Sequence, residues 1–239
     1  MDLKLSGRLA LVSGSTAGIG YAIAETLAAE GARVIVNGRA QAGVDAAIAA
    51  LKKATNKDAI GFAGDLSDAT VAEALVRQHA GIEILVNNLG IFEPKPFEEI
   101  PDADWRRFFD VNVLSGVRLA RLVLPAMRRA NWGRLIFISS ESGVQIPAEM
   151  VHYGMTKSAQ ISIARGIAES VAGTGITVNS VLPPHQVARC RRLRRRTCQG
   201  ARQIGSRVRE GIFRTRAPHI AAQALRHSTG SRVAGRLHR

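Results

Sequence analysis

The first 184 residues contain no cysteine, and both thiols of the 239-residue chain, Cys190 and Cys198, lie beyond them. A disulfide framework is therefore excluded as the means of holding the body of the chain together. The sequence also lacks a long apolar run near its start, because the first one, Leu9 to Val12, is far too short for a signal peptide or a membrane span. We therefore expect a cytoplasmic protein without a membrane partner.

Excess charge of either sign is also missing from these 184 residues, which hold 18 Lys and Arg against 18 Asp and Glu. The formal net charge of +14 comes from residues 185–239, which hold 15 Arg, no Lys and one acid, Glu210. The basic balance of the whole chain is therefore no argument for nucleic-acid binding by its body. The length suits one large domain, and an apolar content of 46% is that of an ordinary globular protein.

Short apolar runs alternate with helical segments, which is typical of an α/β fold with a doubly wound parallel sheet. Six runs with little polar alternation predict strands buried on both faces, namely Leu9–Ser13, Arg33–Asn37, Ala59–Ala63, Ile84–Asn87, Arg134–Ser139 and Thr177–Leu182. Five helical segments lie between them: Ile19–Glu30, Gln41–Ala54, Asp68–His79, about Asp102 to Arg129, and Tyr153–Ala172. Asp68 and Asp102 are typical N-terminal helix signals.

A glycine-rich turn, SGSTAGIG, connects the first predicted strand to the first helix. Its Gly14, Gly18 and Gly20 allow the backbone to approach a pyrophosphate, and the helix N-terminus supplies N–H groups. Glycines also close ordinary strand-to-helix turns. The position at the first strand–helix junction nevertheless favours dinucleotide binding, and Ser15 and Ile19 of the same turn are then expected cofactor contacts.

The second strand ends in VIVNGR, which bears on the choice of dinucleotide. A carboxylate here would bind a ribose 2′-hydroxyl, whereas this chain has Asn37 followed by Arg39, and an Arg suits a 2′-phosphate. NADP(H) is therefore favoured over NAD(H), although a solvated surface Arg is the alternative. After the third strand, Asp65 and Leu66 lie where a loop can reach an adenine ring, but Asp65 can equally cap the next helix.

Amides follow the fourth strand and interrupt the next helical segment. ILVNNLG places Asn87, Asn88 and Gly90 at a carboxyl strand edge, where they can bind backbone and ribose, although Asn-rich turns are also plain structure. Asn112, in FDVNVLSG, is a polar residue within a largely apolar helix. Such an Asn is often merely tolerated, but it can also hold a water for proton relay.

A hydroxyl, a phenol and an ammonium are expected to meet after the fifth strand. Ser140 ends the apolar run GRLIFISS at a strand's carboxyl end, where open α/β sheets place their ligands. Tyr153 and Lys157 are one helical turn apart, so the cation favours phenolate and lowers the pKa of the tyrosine. Alone, this pair could be a chance arrangement on a solvated helix face. The glycine turn, Asn112 and Ser140 in the same sequence favour an acid/base centre.

In combination these motifs resemble the short-chain dehydrogenase/reductase family, single-domain type, over about residues 3 to 183. The resemblance implies a Rossmann-type fold, a homodimer or homotetramer, and hydride transfer between NADP(H) and an alcohol or carbonyl substrate, such as a 3-oxoacyl thioester or a sugar. It implies that Tyr153 is the acid/base and that Ser140 binds the substrate oxygen. Lys157 would then lower the tyrosine pKa and bind the nicotinamide ribose, and Asn112 would support a water-linked proton path. Ser13 for Thr and Leu89 for Ala are mild departures.

After the sixth predicted strand the chain departs from the family pattern. Pro184 and His185 stand where the family has a Gly and a short run that closes over the nicotinamide. The substrate-covering segment, the last strand and the last helix of the family are not found in residues 184–239. We therefore expect a dinucleotide-binding catalytic domain over residues 1–183, without its usual last strand and helix, and a poorly ordered Arg-rich tail over residues 184–239.

A shift of reading frame near Pro183 is our leading hypothesis for this tail. Codons permitted by residues 185–192 and by residues 217–227, when read one base later, both encode family-like sequence in the same frame. A genuine basic arm is the alternative, but RCRRLRRRTC has no interleaved aromatic residues and would attach to phosphates without reading bases. Nucleic acid is thus not expected as a partner, and Cys190, Cys198 and His185 lack zinc-site spacing, so no metal is expected.

The missing segments also have consequences for activity. Without a last strand, Thr177–Leu182 becomes an exposed sheet edge, and without a lid the substrate is poorly held. We therefore expect weak or no turnover from this chain. A catalytically inactive dinucleotide-binding protein, or a basic adaptor, is the alternative to an oxidoreductase.

Overall fold

A computed structural model describes residues 3–184, and its centre is a sheet of six parallel strands. The strands are β1 (Leu9–Val12), β2 (Arg33–Gly38), β3 (Ala59–Ala63), β4 (Ile84–Asn87), β5 (Gly133–Ile138) and β6 (Ile176–Val181). Every predicted strand is present, and each bound lies within one residue of the prediction. Short apolar runs predict strands well when both faces of a sheet are covered, because burial then selects the whole run.

Helices follow the strands in the expected alternation. They are α1 (Gly18–Ala29), α2 (Gln41–Thr55), α3 (Ala69–Gln78), α4 (Asp102–Phe109), α5 (Ser115–Ala130) and α6 (Val151–Ser170). Asp68 caps α3, because its carboxylate accepts from the N–H groups of Thr70 and Val71. Asp102 is instead the first residue of α4, whose cap position is Pro101 and has no side-chain hydrogen bond.

The predicted long helix from Asp102 to Arg129 is divided in the structure. Between α4 and α5, residues Asp110–Leu114 form one turn of π-helix, and Asn112 is its central residue. A π turn places one extra residue in the helical path, and such turns are frequent at functional sites. Apolar periodicity does not reveal this insertion, because both flanking helices keep their own 3.6-residue pattern.

The strand order is β3-β2-β1-β4-β5-β6, so the chain crosses from one side of β1 to the other between β3 and β4. Leu11 pairs with Ile35 of β2 on one side and with Leu85 of β4 on the other. Open α/β sheets bind ligands outside the carboxyl ends of the strands at such a switch point. The loops that follow β1 and β4 are therefore the expected location of a ligand.

Alternate residues of β1, β2, β4 and β5 enter two separate cores, one on each face of the sheet. One core packs Leu11, Ile35 and Leu85 against α3, α5 and α6. The other packs Val12 and Val36 against α1 and α2. Burial on both faces explains why β1, β2 and β4 lack polar alternation, whereas the edge strands β3 and β6 are only partly buried, contrary to the prediction from their sequence. Helices on both faces confirm the doubly wound α/β fold. No helix among residues 3–184 is long and apolar enough to cross a membrane.

Within residues 3–184, β6 is the outermost strand and pairs with β5 alone. Val181 and Leu182, at its carboxyl end, are 46% and 38% exposed. The predictions for residues 185–239, including the basic tail and the frame shift, lie outside the described residues.

Candidate active site

The glycine turn after β1 has the backbone that its sequence predicts. Gly14 and Gly18 have φ angles of 62° and 61°, in the left-handed region where a side chain is strained. Gly20 is needed for a different reason, since a Cβ atom there would lie 2.5 Å from both the Asn88 amide nitrogen and the Gly14 carbonyl oxygen. The turn thus brings α1 directly against the carboxyl ends of β1 and β4.

The N-terminus of α1 suits an anionic group. Its cap residue, Ala17, makes no side-chain hydrogen bond, and its first turn holds no acid. A Cβ atom added to Gly18 would meet nothing within 4 Å, so the turn faces open space. Free N–H groups and the positive end of the helix dipole favour a phosphate there. The residues present therefore fit the pyrophosphate of a dinucleotide.

Asn37 holds this turn in place from β2. Its Oδ1 accepts from the Gly14 N–H at 3.1 Å, and its Nδ2 donates to the carbonyl oxygens of Phe62 and Gly64 at 3.2 and 3.1 Å. Its backbone N–H donates to Ser15 Oγ at 2.9 Å. The Asn37 side chain is thus used within the protein, which leaves the neighbouring Arg39 as the polar group at this strand end that is exposed.

Asn88 and Ser13 hold the turn from the other side. Asn88 Nδ2 donates to the carbonyl oxygens of Ser13 and Gly14, both at 3.0 Å. Ser13 Oγ accepts from the N–H groups of Asn88 and Leu89, also at 3.0 Å. The Asn88 amide therefore binds backbone, which is one of the two uses its sequence position suggested. Ser13 was read from the sequence only as a mild substitution, yet it joins the loops after β1 and β4.

The remaining residues predicted to contact a cofactor differ in how exposed they are and in what they contact. Ile19 is 48% exposed at the start of α1, whereas Leu66 is fully buried. Asp65 does not cap α3, a role that Asp68 takes; its carboxylate accepts from the Ser67 N–H at 2.9 Å and stays exposed. Gly90 lies beside the predicted catalytic residues, because a Cβ atom there would be 3.7 Å from Lys157 Nζ.

Ser140, Tyr153 and Lys157 come together at the carboxyl end of β5. Ser140 begins a short turn after the strand and is 4% exposed, and Tyr153 lies in the first turn of α6. Burial raises the pKa of Tyr153, and a hydrogen bond between its hydroxyl and Ser140 opposes that rise, so the net direction is opposite to the lowered pKa that the Tyr153–Lys157 spacing predicts. The hydroxyls of Ser140 and Tyr153 are thus positioned to share one oxygen of a small molecule.

Lys157 is 4% exposed and has its ammonium group inside the site. Its Nζ donates to the carbonyl oxygen of Ile138 at 2.8 Å and to Oε1 of Gln160 at 3.2 Å. Burial lowers the pKa of Lys157 to about 8, because a charged amine loses hydration there. Its proton is therefore far easier to remove than that of an exposed lysine.

Asn112 joins the π turn to the loop after β4 and to α6. Its Oδ1 accepts from the Ile91 N–H at 2.7 Å, and its Nδ2 donates to the Ile91 carbonyl at 2.9 Å and to Thr156 Oγ1 at 3.0 Å. The side chain is thus bonded to protein at both ends. The expectation that Asn112 supports a water-linked proton path is not tested by these contacts and stays a prediction.

Sequence reasoning missed three polar residues in this region. Gln160 and Thr156 are buried on α6 beside the Tyr153–Lys157 pair, and Ser139 Oγ donates to the Lys157 carbonyl at 2.8 Å. A Gln inside the apolar run QISIARGIA was the available signal, since a buried amide needs partners. Its partners, however, come from another element and are visible only in the fold.

Exposed apolar side chains lie in the two segments that follow β4 and β5. Val144 and Ile146 are 70% and 49% exposed in the segment between β5 and α6, and Phe92 follows β4. The Phe92 ring meets that of Tyr153 edge-on, with centroids 6.3 Å apart. Among residues 3–184, no three His, Cys, Asp or Glu side chains form a group that could hold a metal ion.

Comparisons with known proteins agree with this geometry. A family model described as short chain dehydrogenase matches residues 8–197. The uncharacterized oxidoreductase YvaG of Bacillus subtilis is 48% identical over 185 residues, which are 77% of this chain and 70% of the relative. The 3-oxoacyl-[acyl-carrier-protein] reductase FabG of Escherichia coli is 34% identical over 181 residues, or 76% and 74% of the two chains.

Solved structures share the fold. L-sorbose reductase from Gluconobacter frateurii, in complex with NADPH and L-sorbose, has a TM-score of 0.73 and 32% identity, covering 77% of this chain and 71% of that one. NAD⁺-bound xylitol dehydrogenase has a TM-score of 0.71 and 27% identity, covering 76% and 72%. One of these similar structures thus carries NADPH and the other NAD⁺.

Proposed function

This chain belongs to the short-chain dehydrogenase family and is an oxidoreductase by that membership, and we propose that it transfers hydride between NADP(H) and an alcohol or carbonyl compound. The observation that carries the proposal is the meeting of Ser140, Tyr153 and Lys157 at the end of β5, beside Gly90 of the loop that also braces the glycine turn. The glycine turn follows β1 and these three residues follow β5, and the loop after β4, the strand between them, contacts both, which supports a dinucleotide and a proton-handling pair meeting there.

In this reaction the protein binds the cofactor and the substrate, orients them, and protonates the substrate oxygen. When bound, the nicotinamide supplies or accepts the hydride, which is the hard chemistry of such reactions. Tyr153 is proposed to give its phenolic proton to the carbonyl oxygen in reduction and to take it back in oxidation. Ser140 donates a hydrogen bond to the same oxygen, which holds the substrate in place and stabilises the charge that develops on it.

Lys157 is proposed to have two roles. Its ammonium stabilises the phenolate that Tyr153 becomes after giving up a proton, since an opposite charge nearby favours the ionised form. Its buried position beside Gly90 also suits a contact with the ribose of the nicotinamide. Asn112 then fixes the loop after β4 to α6, through its bonds to Ile91 and Thr156.

NADP(H) is the proposed cofactor because of the charges at the end of β2. No carboxylate is present there; Asn37 is bound within the protein, and the exposed Arg39 would suit a 2′-phosphate. The NADPH complex of L-sorbose reductase supports this choice, and the NAD⁺ complex of xylitol dehydrogenase shows that the fold alone does not decide it. Gly14, Ser15, Gly18, Ile19 and Gly20 are the proposed pyrophosphate contacts, and Asp65 and Leu66 the adenine side.

The proposed substrates are small alcohol/carbonyl pairs. The apolar side chains of Phe92, Val144 and Ile146 around the entrance suit an acyl chain, and FabG of E. coli is named as a 3-oxoacyl-thioester reductase. The L-sorbose complex of a similar structure makes sugars and small polyols the second group to test. We also propose a cytoplasmic homodimer or homotetramer, formed through the helices that carry Asn112 and Tyr153.

Turnover against a carbonyl panel tests this proposal. The purified 239-residue chain is assayed with NADPH and a panel of 3-oxoacyl thioesters, ketoses and small ketones, with Tyr153→Phe as the control. Slow turnover that falls by at least about 10²-fold in the control is the expected result. Tight NADPH binding without any Tyr153-dependent turnover would instead favour a catalytically inactive dinucleotide-binding protein.

A further inference from the structure

Gln160 connects the two halves of the proposed proton-handling site. It lies one turn after Lys157 on α6 and is 2% exposed. Its Nε2 donates to the carbonyl oxygen of Asn112 at 2.5 Å, and its Oε1 accepts from Lys157 Nζ at 3.2 Å. A single buried amide therefore joins the ammonium on α6 to the main chain of the π turn.

The chemistry of both partners suits a carboxamide at this position. An ammonium can only donate a hydrogen bond and a main-chain carbonyl can only accept one, so the bridging group needs an acceptor at one end and a donor at the other. A carboxylate would face the Asn112 carbonyl oxygen without a proton between them. An apolar residue would leave both partners without this bond in a buried setting.

The hydrogen bond from Lys157 to Gln160 matters because Lys157 is buried, and burial of its charged form has a large free-energy cost. Burial lowers the pKa of Lys157 to about 8. The neighbouring titratable side chain is Tyr153, whose ring centroid lies 5.5 Å from Lys157 Nζ. The acceptors of the Lys157 ammonium are uncharged, namely the Ile138 carbonyl of β5 and the Gln160 amide of its own helix α6. Each acceptor offsets part of the lost hydration and favours the charged form.

We propose that Gln160 is a positioning residue, which keeps the Lys157 ammonium charged and fixed beside Tyr153 by tying it to the π turn at Asn112. The catalytic consequence rests on the proposed function, since only a proton-transferring Tyr153 needs a charged partner. The hydrogen bond between Gln160 and Lys157 does not depend on the proposed function, and it can be tested without an assay of turnover.

A direct test by lysine NMR is practical, because the chain contains six lysines and therefore gives few signals. The full-length protein is labelled with ¹³C at the lysine Cε positions, and each signal is followed by NMR as the pH rises; Lys157→Arg assigns the Lys157 signal. Gln160→Met keeps the length of the side chain but removes the acceptor. We expect it to lower the Lys157 midpoint by about one pH unit, a tenfold loss of proton affinity, as for a lost hydrogen bond to a charged group.

A second variant moves the midpoint in the opposite direction. Gln160→Glu places a carboxylate beside the ammonium and is expected to raise the Lys157 midpoint by about one unit or more. Gln41→Met, at an exposed glutamine of α2, is the matched control and should leave all six midpoints unchanged. Opposite shifts from the two Gln160 variants are not expected from a general loosening of the fold.

Two results would overturn the inference. The first is a Lys157 midpoint that stays within about 0.2 units of the parent in folded Gln160→Met and Gln160→Glu proteins, because the amide then does not act on the ammonium. The second is loss of folding in both variants, which would make Gln160 a core residue only. Expected shifts without any turnover would leave this inference standing and count against the proposed function instead.

Discussion

The Nζ atom of Lys157 lies 5.5 Å from the centroid of the Tyr153 ring, on the same face of α6. The four-residue spacing places the two groups together because it is close to one helical turn. The rest of the site serves this pair: Ser140 hydrogen bonds to the phenol, and Ile138 and Gln160 accept from the ammonium. Lys157 is buried and Tyr153 is half-buried, so burial and these contacts together influence the charges of both groups.

Arg39→Ala is expected to weaken NADPH binding about 10- to 100-fold while NADH binding changes little. The guanidinium is proposed to bind the 2′-phosphate, which NADH lacks, and a lost hydrogen bond to a charged group has about this effect. Fluorescence titration with both cofactors measures the ratio. Arg33→Ala, at the opposite end of the same strand, is the control and should leave both affinities unchanged. Equal weakening of both cofactors by Arg39→Ala would contradict the proposed contact.

Asn37→Asp is expected to destabilise the fold and to weaken NADPH and NADH equally. The carboxylate keeps an acceptor for the Gly14 N–H but loses the donors to Phe62 and Gly64, and it then faces two carbonyl oxygens. We expect a loss of about 2 to 4 kcal/mol in the free energy of unfolding. Urea unfolding and cofactor titration check both parts. A variant of unchanged stability that gains NADH affinity would show that Asn37 contacts ribose and does not brace the turn.

The fold was largely predictable from the sequence because apolar runs, capping residues and glycines act locally. The strands, the glycine turn and the Tyr153–Lys157 spacing all follow from such short-range rules. Asn37 shows the limit of such rules, since its position suggested a part in cofactor choice, while its side chain is bonded to the glycine turn after β1 and to β3. Which atoms an amide meets depends on strands paired across the sheet, and no local pattern contains that information.

The same limit applies around the catalytic residues. Asn112 was identified by its polarity within an apolar helix, but the π turn that presents its main chain was not foreseen. Gln160 was overlooked because the Tyr153–Lys157 motif specifies nothing about the next turn of α6. Its importance comes from the packing of α6 against the π turn, residues that are 48 positions apart in sequence.

His152 is expected to make the protein less stable in mild acid. The side chain is fully buried against Phe108 and Trp105, and within residues 3–184 neither ring nitrogen has a hydrogen-bond partner. Burial lowers its pKa, whereas nearby Asp104 raises it to a smaller extent. The unfolded chain therefore binds a proton at higher pH than the folded chain, and stability is lost as pH falls from about 6.5 towards the folded pKa.

His152→Leu tests this dependence by removing the titrating group while keeping an apolar side chain of similar size. Urea unfolding at pH 5 and pH 8 should show a smaller difference for the variant than for the parent. His79→Leu, at a histidine of the α3 cap, is the control variant. If the parent and His152→Leu lose the same stability between the two pH values, His152 is not the source of the acid sensitivity.

The reading frame after Pro183 can be tested on the gene itself. We expect the frame one base later to be open and to encode a family-like lid, a last strand and a last helix. In the described residues β6 pairs on one side only, which leaves room for that strand. A stop codon soon after Pro183 in the shifted frame would contradict the hypothesis. A protein made in the open frame should show higher turnover and less aggregation than the present chain.

Transfer of deuterium tests the central claim, that these residues form a working hydride-transfer site, most directly. The chain is incubated with a carbonyl substrate from the panel and NADPH that carries deuterium at the transferable C4 position, and the alcohol product is analysed by mass spectrometry. We predict one deuterium on the former carbonyl carbon with the parent chain, and at least about 10²-fold less labelled product with Tyr153→Phe. Product without the label, or equal labelled product from Tyr153→Phe, would contradict the account.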